Sequence, residues 1–298
     1  MSEPDGRFAV AGSVDNGTGR RAGASGRIRS LLTRRGPIRL VPEAVLLIAA
    51  YAIYTVVRDS VQGATSVAVA RGVTLLHVER VSYLDPEHAL NRFVAAHPVL
   101  AQISDYYYAT GHFLITIGVL VLVYWKAPGR ARRYAAAWYA MNLLGLLGFW
   151  LYALAPPRLL PHEGFVDTVV KFGTWGGWGS HSVATVSNQY AAMPSLHTGW
   201  AVWCAITIWV VTQRRWARVL ALAYPVLTVI VVLGTANHYL LDTFAGAAVA
   251  GAGFGVVAAL GAVGRWWDRR ALPESPTPGQ PTAQEGAEPR PAAQPTRP

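Results

Sequence analysis

Long runs without a single charged side chain are the feature of this sequence that most restricts its fold. Four such runs, of 20 to 24 residues each, cover Tyr106–Trp125, Tyr134–Pro157, Val219–Leu241 and Thr243–Gly264. A helix rises about 1.5 Å per residue, so it needs about 20 residues to cross a hydrocarbon core about 30 Å thick. Each run is therefore long enough to span a bilayer as a helix.

Two weaker runs raise the predicted number of spans to six. Residues 172–213 are uncharged, but their first half is rich in Gly, Ser and Thr, so we expect a loop and then a span at about 195–213. Ala44–Val57 has only 14 uncharged residues, and it spans if its flanking charges reach the interfaces. We read it as an anchor, because the basic stretch before it is long for a signal sequence cleaved near residues 68–70. The predicted fold is all-α, a polytopic membrane helical bundle of about six transmembrane helices.

The composition agrees with a membrane domain between two disordered tails. Hydrophobic residues make up 52% of the chain and charged residues 14%, whereas soluble domains carry about 25% charged residues. Residues 1–40 hold eight arginines, and residues 271–298 hold eight prolines. Neither tail can bury enough apolar surface to fold. We therefore expect disordered termini around a membrane-embedded domain at 41–270, whose motif core lies at 105–260.

The basic residues that give the net charge of +10 lie mostly in the predicted tails and loops, and they do not form a single basic patch in the sequence. Arg and Lys are concentrated in the N-terminal tail and after the second, fourth and sixth spans, which is a topology pattern, so we expect no nucleic-acid partner. The positive-inside rule predicts a multi-pass cell-membrane protein with both termini in the cytoplasm. The loop at 158–194 and the segment at 58–105 then face outward. In the latter, Asp85-Pro86 predicts a helix start.

Four ionisable residues fall at span ends on the predicted outer side: Arg158, His197, His238 and Asp242. Such groups are costly within a membrane and often functional. His238 and Asp242 have i, i+4 spacing, so on a helix they share one face. The carboxylate would then fix the imidazole tautomer and leave the other ring nitrogen free as a nucleophile or base.

The remaining two signals predict an anion site. Pro194 and Ser195 precede an apolar run as helix-start residues, and the free amides of that first turn, with the Ser195 hydroxyl, would bind an anion beside His197. Arg158 leaves a rigid Pro156-Pro157 turn, and arginine binds phosphate oxygens in a bidentate fork. Taken singly, each signal is also explained by an ion pair, a helix cap or a snorkelling arginine. Together they predict a phosphate site.

Other chemistries lack their residues. The sequence has no nucleotide-binding P-loop, no Cys/His zinc cluster and no nucleophile elbow. His197, His238 and Asp242 could ligate a metal, but an arginine in the same site favours an anion, so we expect no metal and no cofactor. The other histidines lack partners at informative spacing, and for His112 we expect a helix-packing role. Gly251-x-x-x-Gly255 predicts close helix packing.

These motifs, in this order, resemble the type 2 phosphatidic acid phosphatase superfamily. Pro156-Pro157-Arg158 and Asn237-His238-Tyr239 look most like its inositol-phosphorylceramide-synthase-like branch, and the resemblance covers about 105–260. It implies a metal-independent enzyme that acts on a membrane lipid phosphate or phospholipid through a phosphohistidine, with water or a polyol as acceptor. By motif position His238 would be the nucleophile, Asp242 its orienting partner and His197 the general acid. Arg158 and Ser195 would hold the phosphate.

The sequence departs from the family pattern where that pattern usually has two further cations. Leu151 stands seven residues before Arg158 in place of a lysine, and Val232 stands six residues before His238 in place of an arginine. Lys171 is a candidate replacement. Two alternatives remain at this stage: a non-catalytic lipid-phosphate binding or transport protein of the same fold, and a metal-dependent membrane hydrolase.

Overall fold

The computed structural model describes residues 52, 55, 56, 65–174 and 189–271. The chain divides into two compact units, Met1–Val56 and Val57–Pro298, and nearly all described residues belong to the second. Every α-helix, 3-10 turn and π turn described below lies in that unit. The predictions for the two tails and for the first apolar run fall, apart from a few residues, outside the described ranges.

Helices form all the regular structure of the described residues, which confirms the predicted all-α class. They are, in chain order, α1 (Thr65–Val81), α2 (Pro86–Ala96), α3 (Pro98–Tyr106), α4 (His112–Lys126), α5 (Pro128–Leu151), α6 (Thr168–Phe172), α7 (Leu196–Val211), α8 (Arg215–Gly234) and α9 (Leu240–Ala271). A π-helical turn, Tyr107–Gly111, joins α3 to α4 without a break. Two short 3-10 turns, Pro157–Leu159 and Pro161–Glu163, follow α5.

Four segments are long and apolar enough to cross a membrane: Pro98–Lys126, Pro128–Leu151, Arg215–Gly234 and Leu240–Gly264. The shorter apolar helix Leu196–Val211 takes the place of the predicted fourth span. Five of the six predicted runs therefore form apolar helices, and their composition identifies a membrane protein. The third and fifth runs end earlier than predicted, because the chain turns out of the helix at Tyr152 and Thr235.

The core of the bundle lies where α4, α5, α7 and α9 meet. Its buried side chains are Val119, Val123, Ala131, Tyr134, Ala137, Met141, Trp203, Cys204 and Ala250. The Trp203 indole N–H donates to the Tyr134 carbonyl over 3.0 Å, so this large side chain is buried without leaving its polar atom unpaired.

Glycines let two helices approach closely beside the loops that carry the motifs. A Cβ added to Gly246 of α9 would collide with the carbonyl oxygen of Ser195, and one added to Gly199 of α7 would lie 3.1 Å from the Gly246 carbonyl oxygen. The prediction of close helix packing at Gly251 and Gly255 is wrong within this chain, since a Cβ added at either position meets nothing within 4 Å. The close contacts of α9 are made instead at Gly246 and at Gly253, whose added Cβ would lie 2.6 Å from the Ala137 carbonyl oxygen.

The segment before the bundle packs against it. α2 begins at Pro86 with Asp85 at the N-cap, although the Asp85 side chain makes no capping hydrogen bond. The Ala68 carbonyl of α1 accepts from the Ala155 N–H over 3.1 Å, which ties α1 to the loop after α5. The Asn91 amide of α2 donates to the Gly234 carbonyl at the end of α8 over 3.0 Å. α1 and α2 thus support the loops that leave α5 and α8.

Candidate active site

His238 lies in the turn between α8 and α9, two residues before α9 begins at Leu240. The expectation that His238 and Asp242 share a helix face is therefore wrong, because α8 has already ended at Gly234 and His238 belongs to neither helix. The contact is nevertheless made: His238 Nδ1 lies 3.2 Å from Asp242 Oδ2. The turn replaces the helix as the element that brings the two side chains together.

The hydrogen bonds of His238 define its tautomer. Besides Asp242, the Ala192 carbonyl oxygen lies 3.0 Å from Nδ1. Both partners are acceptors, so Nδ1 carries the proton and Nε2 has the lone pair. Nε2 is buried and has no hydrogen-bond partner within the described ranges. This is the arrangement expected of a nitrogen nucleophile.

The charge state of His238 fits the same role. Burial lowers the pKa of His238 to about 3; the Ala192 carbonyl opposes this shift, and the positive charge of Arg158 adds to it. The ring is therefore neutral near pH 7. A neutral imidazole has the free electron pair that attack on phosphorus requires.

His197 lies in the first turn of α7, next to the N-cap Ser195. The His197 and His238 rings are 5.8 Å apart between centroids, at 58° to each other. His197 hydrogen-bonds to the backbone of Tyr108, and their rings stack at 4.1 Å. Its Nε2 is buried and unpaired as far as the chain is described. An imidazole from the start of α7 and one from the turn between α8 and α9 thus lie side by side.

Ser195 connects the two histidine loops. Its hydroxyl oxygen accepts from the Thr198 N–H over 3.4 Å, which confirms the predicted helix cap. Its backbone N–H donates to the Asp242 carbonyl over 2.9 Å. The side chain is fully buried. In this structure the Ser195 hydroxyl therefore supports α7, and its predicted contact with phosphate stays a prediction.

Arg158 follows the Pro156-Pro157 turn and lies beside the His238 turn. Its Nε donates to Asn237 Oδ1 over 2.9 Å, and its backbone N–H donates to the Ala236 carbonyl over 2.9 Å. A guanidinium nitrogen lies 3.5 Å from Asp167 Oδ2. Its side chain is 23% exposed. The guanidinium is thus held at the edge of the site by the residue that precedes His238.

The structure therefore brings together all five residues that the sequence predicted: Arg158, Ser195, His197, His238 and Asp242. Lys171, the candidate replacement cation, is engaged elsewhere, because its ammonium group donates to the Ala95 carbonyl over 2.8 Å. In the described part of the chain no group of three or more His, Cys, Asp or Glu side chains is placed to hold a metal ion. The metal-dependent alternative gains no support there.

His112 is the site residue that sequence reasoning missed. Its ring is buried and lies 5.0 Å from the His197 ring between centroids. Its Nδ1 is 2.8 Å from the Tyr224 hydroxyl. The only signal in the sequence was an ionisable ring within an apolar run. In the structure His112 directly follows the π-helical turn Tyr107–Gly111. Such turns are frequent at functional sites.

These observations define a class of protein before any comparison is made. Two buried imidazoles, one of them in contact with a carboxylate, lie near a guanidinium at the ends of apolar helices, as in a site that could bind an anionic group. A family model described as the PAP2 superfamily matches residues 73–256, and the chain belongs to that superfamily. Its members are phosphoesterases, so the chain has a membrane phosphatase-type fold. Searches of curated proteins and of solved structures found no significant match.

Proposed function

We propose that the protein is a lipid phosphatase or phospholipid-headgroup phosphotransferase that acts through a phosphohistidine on His238. The observation that carries this proposal is the pair of acceptors on Nδ1, Asp242 Oδ2 at 3.2 Å and the Ala192 carbonyl oxygen at 3.0 Å. They hold the proton on Nδ1 and direct the lone pair to Nε2. A buried nitrogen lone pair with no partner among the described residues has no structural use of its own.

In the first step, His238 Nε2 attacks the phosphorus atom and the bond to the leaving oxygen breaks. His197 must first take up a proton; as the imidazolium it donates this proton to that oxygen and becomes neutral, so the lipid leaves as an alcohol. Proton transfer of this kind contributes about 10²–10⁴-fold to the rate. Asp242 stabilises the positive charge that the phosphorylated His238 ring acquires, and Arg158 neutralises the phosphoryl oxygens.

In the second step, an acceptor oxygen attacks the phosphohistidine. His197, now neutral, takes the proton of the acceptor, and the P–N bond breaks to return His238 with its lone pair. Water as acceptor makes the protein a phosphatase, and a polyol hydroxyl makes it a transferase. The sequence resemblance to the inositol-phosphorylceramide-synthase-like branch favours a polyol such as inositol.

A lipid substrate suits the position of the site. His197 and His238 lie at the ends of apolar helices, so a lipid held in the bilayer could present its headgroup to them without leaving the membrane. The positive-inside distribution of Arg and Lys puts these ends on the extracytoplasmic side. We therefore propose a cell-membrane enzyme with its active site outside the cytoplasm.

The proposal is tested with purified protein in detergent, given lipid phosphates and phospholipids with and without inositol. We expect turnover that is insensitive to chelators and a phosphate label on the protein that is acid-labile and alkali-stable. His238→Asn abolishes both, whereas the exposed His162→Asn serves as the matched control. Lipid-phosphate binding without turnover or label would instead favour the non-catalytic binding or transport alternative, and loss of turnover with chelators would favour the metal-dependent one.

A further inference from the structure

Two buried glutamates lie outside the site described so far. Glu79 is on α1, Glu87 is in the first turn of α2, and both are fully buried. An ionisable side chain in such surroundings needs a partner, because burying an unpaired charge is costly. The contacts of these two residues lead to the active site.

Glu79 contacts the start of the helix that carries Asp242. Its Oε1 accepts a hydrogen bond from the Leu241 N–H over 2.6 Å. Leu241 lies in the first turn of α9, between His238 and Asp242, where backbone N–H groups have no partner within the helix. The positive end of the helix dipole also favours a negative charge here. Glu79 therefore caps α9 from a distant part of the chain.

Glu87 interacts with Glu79 and makes no contact with His197, His238 or Asp242 other than a weak electrostatic effect on Asp242. The two carboxyl groups are close enough to hydrogen-bond if one of them holds a proton; as two carboxylates, neither Glu87 oxygen nor Glu79 Oε2 has a partner among the described residues. Two adjacent buried carboxylates cannot both ionise at neutral pH. Burial and then the neighbouring Glu79 raise the pKa of Glu87 to about 9. Burial also raises the pKa of Glu79, but the bonds from Glu87 and from the Leu241 N–H oppose that shift.

The protonation of the pair follows from these contacts. Since the pKa of Glu87 is raised to about 9, a proton on Glu87 would let it donate to Glu79, which also accepts from the Leu241 N–H. The carboxylates of Asp85 and Asp242 raise the pKa of Glu79 further, and Asp85 also raises the pKa of Glu87, so both neighbours favour keeping a proton on the pair. The cation Arg80 is bound to Glu163 at 2.6 Å, and the Tyr239 hydroxyl donates to the Ala155 carbonyl.

We propose that Glu79 is a positioning residue for the His238–Asp242 pair, and that Glu87 supplies it with a protonated carboxyl as hydrogen-bond donor. The Glu79 carboxylate fixes the first turn of α9 and, with it, the direction of Asp242 toward His238. The inference rests on the proposed function for its kinetic test, but its structural test is independent of catalysis.

The kinetic test compares two replacements of Glu79. Glu79→Leu removes the acceptor for Leu241, so we expect kcat to fall roughly 10- to 100-fold with KM within about twofold, since small displacements of catalytic groups have effects of this size. Glu79→Gln keeps an amide oxygen that can accept from Leu241 and recovers most of the loss. The matched control is Asp85→Asn, a half-buried carboxyl close by that does not contact α9, which leaves kcat unchanged. Wild-type kcat in Glu79→Leu overturns the proposal.

The structural test measures the melting temperature against pH for the wild type and Glu87→Gln. In the folded state Glu87 keeps its proton up to about pH 9, whereas the unfolded chain releases it near 4.5. The wild type therefore loses stability as pH rises between these values, and Glu87→Gln does not share this loss. We expect the Tm difference between variant and wild type to grow with pH across this range. A constant difference overturns the proposal.

The two tests separate failure of this inference from failure of the proposed function. If no lipid is turned over by the wild type, the proposed function fails, and the pH dependence of Tm still decides on the Glu79–Glu87 pair. If Glu79→Leu does not fold, Glu79→Gln and Glu87→Gln retain both readouts. Hydrogen exchange at the Leu241 amide gives a further check. We expect this exchange to be slow in the wild type, faster in Glu79→Gln and unprotected in Glu79→Leu.

Discussion

The rings of His112 and His197 lie 5.0 Å apart between centroids, although they come from different helices. The Tyr224 hydroxyl contacts His112 Nδ1 at 2.8 Å, which leaves Nε2 without a partner in the described residues. A second imidazole next to the general acid provides a polar neighbour in an otherwise apolar part of the bundle. It can influence how readily His197 gives up and regains its proton.

His112→Phe keeps an aromatic ring at this position but removes the ring nitrogens. We expect kcat to fall roughly tenfold, the lower end of what one proton-transfer group contributes, and the pH profile of kcat to shift because His197 loses its polar neighbour. Steady-state kinetics from pH 4 to 9 measures both effects. His77→Phe, at an exposed histidine, is the control, and an unchanged profile in His112→Phe would show that His112 only fills space.

Asp242→Asn tests the tautomer of His238. An amide in place of the carboxylate can present its NH₂ group to Nδ1 and so favour the proton on Nε2, where the nucleophilic lone pair should be. We expect kcat to fall about 10²- to 10⁴-fold, as tautomer errors of this kind do in other enzymes, with the protein still folded. Activity and phosphohistidine labelling measure the loss. Equal activity of Asp242→Asn and wild type would contradict the assigned roles.

The pH dependence of kcat/KM follows from the lowered pKa of His238. Since His238 is nucleophilic only when neutral, its protonation defines an acid limb, and a pKa of about 3 puts this limb far below the ordinary value of 6.5. Arg158→Gln removes a positive charge that lowers this pKa, so the limb moves to higher pH. The same variant weakens phosphate binding roughly 10-fold or more, by loss of a charge-assisted bidentate contact. Arg92→Gln, at an exposed arginine, is the control, and an acid limb that stays in place in Arg158→Gln would contradict the electrostatic link.

Gly246→Ala tests the close approach of α7 and α9. The added methyl group would collide with the Ser195 carbonyl, whereas Gly251→Ala on the same helix meets nothing within 4 Å. Overpacking of this kind costs about 1–3 kcal/mol. We expect Gly246→Ala to lower both Tm and kcat, because Ser195 and Asp242 are displaced together, and Gly251→Ala to leave both unchanged. Two variants with the same Tm would contradict this account of the packing.

The apolar helices were predictable because bilayer thickness sets their length. Their ends were not, because tertiary contacts decide them. The second predicted span was started after Asp105, where the uncharged run begins, but the helix begins at Pro98. Asp105 is buried within it and accepts hydrogen bonds from Thr168 at 2.6 Å and Thr174 at 2.8 Å. These hydrogen bonds allow Asp105 to lie within the helix. Their donors are 63 and 69 residues away in sequence, so the local sequence does not indicate that the helix continues through Asp105.

The candidate site was predictable in part, for a related reason. His197, His238, Asp242, Ser195 and Arg158 stood out because each is a polar residue at the end of an apolar run. The i, i+4 spacing of His238 and Asp242 could not distinguish a helix face from a turn that leads into a helix. Residues whose partners lie on other helices gave little or no local signal: His112 stood out only as an ionisable ring within an apolar run, and Glu79 did not stand out.

The loops that carry the site are joined through their main chains: the Ser195 N–H donates to the Asp242 carbonyl, and the Arg158 N–H donates to the Ala236 carbonyl, each over 2.9 Å. These bonds use backbone atoms, so exchanging a reactive side chain does not delete them. A variant without the His238 imidazole should therefore keep the backbone arrangement of the site, and under the proposed function it would leave a bound lipid unreacted. Such inactive protein is a suitable bait for capturing an unreacted natural ligand in crystals or in cryo-electron microscopy.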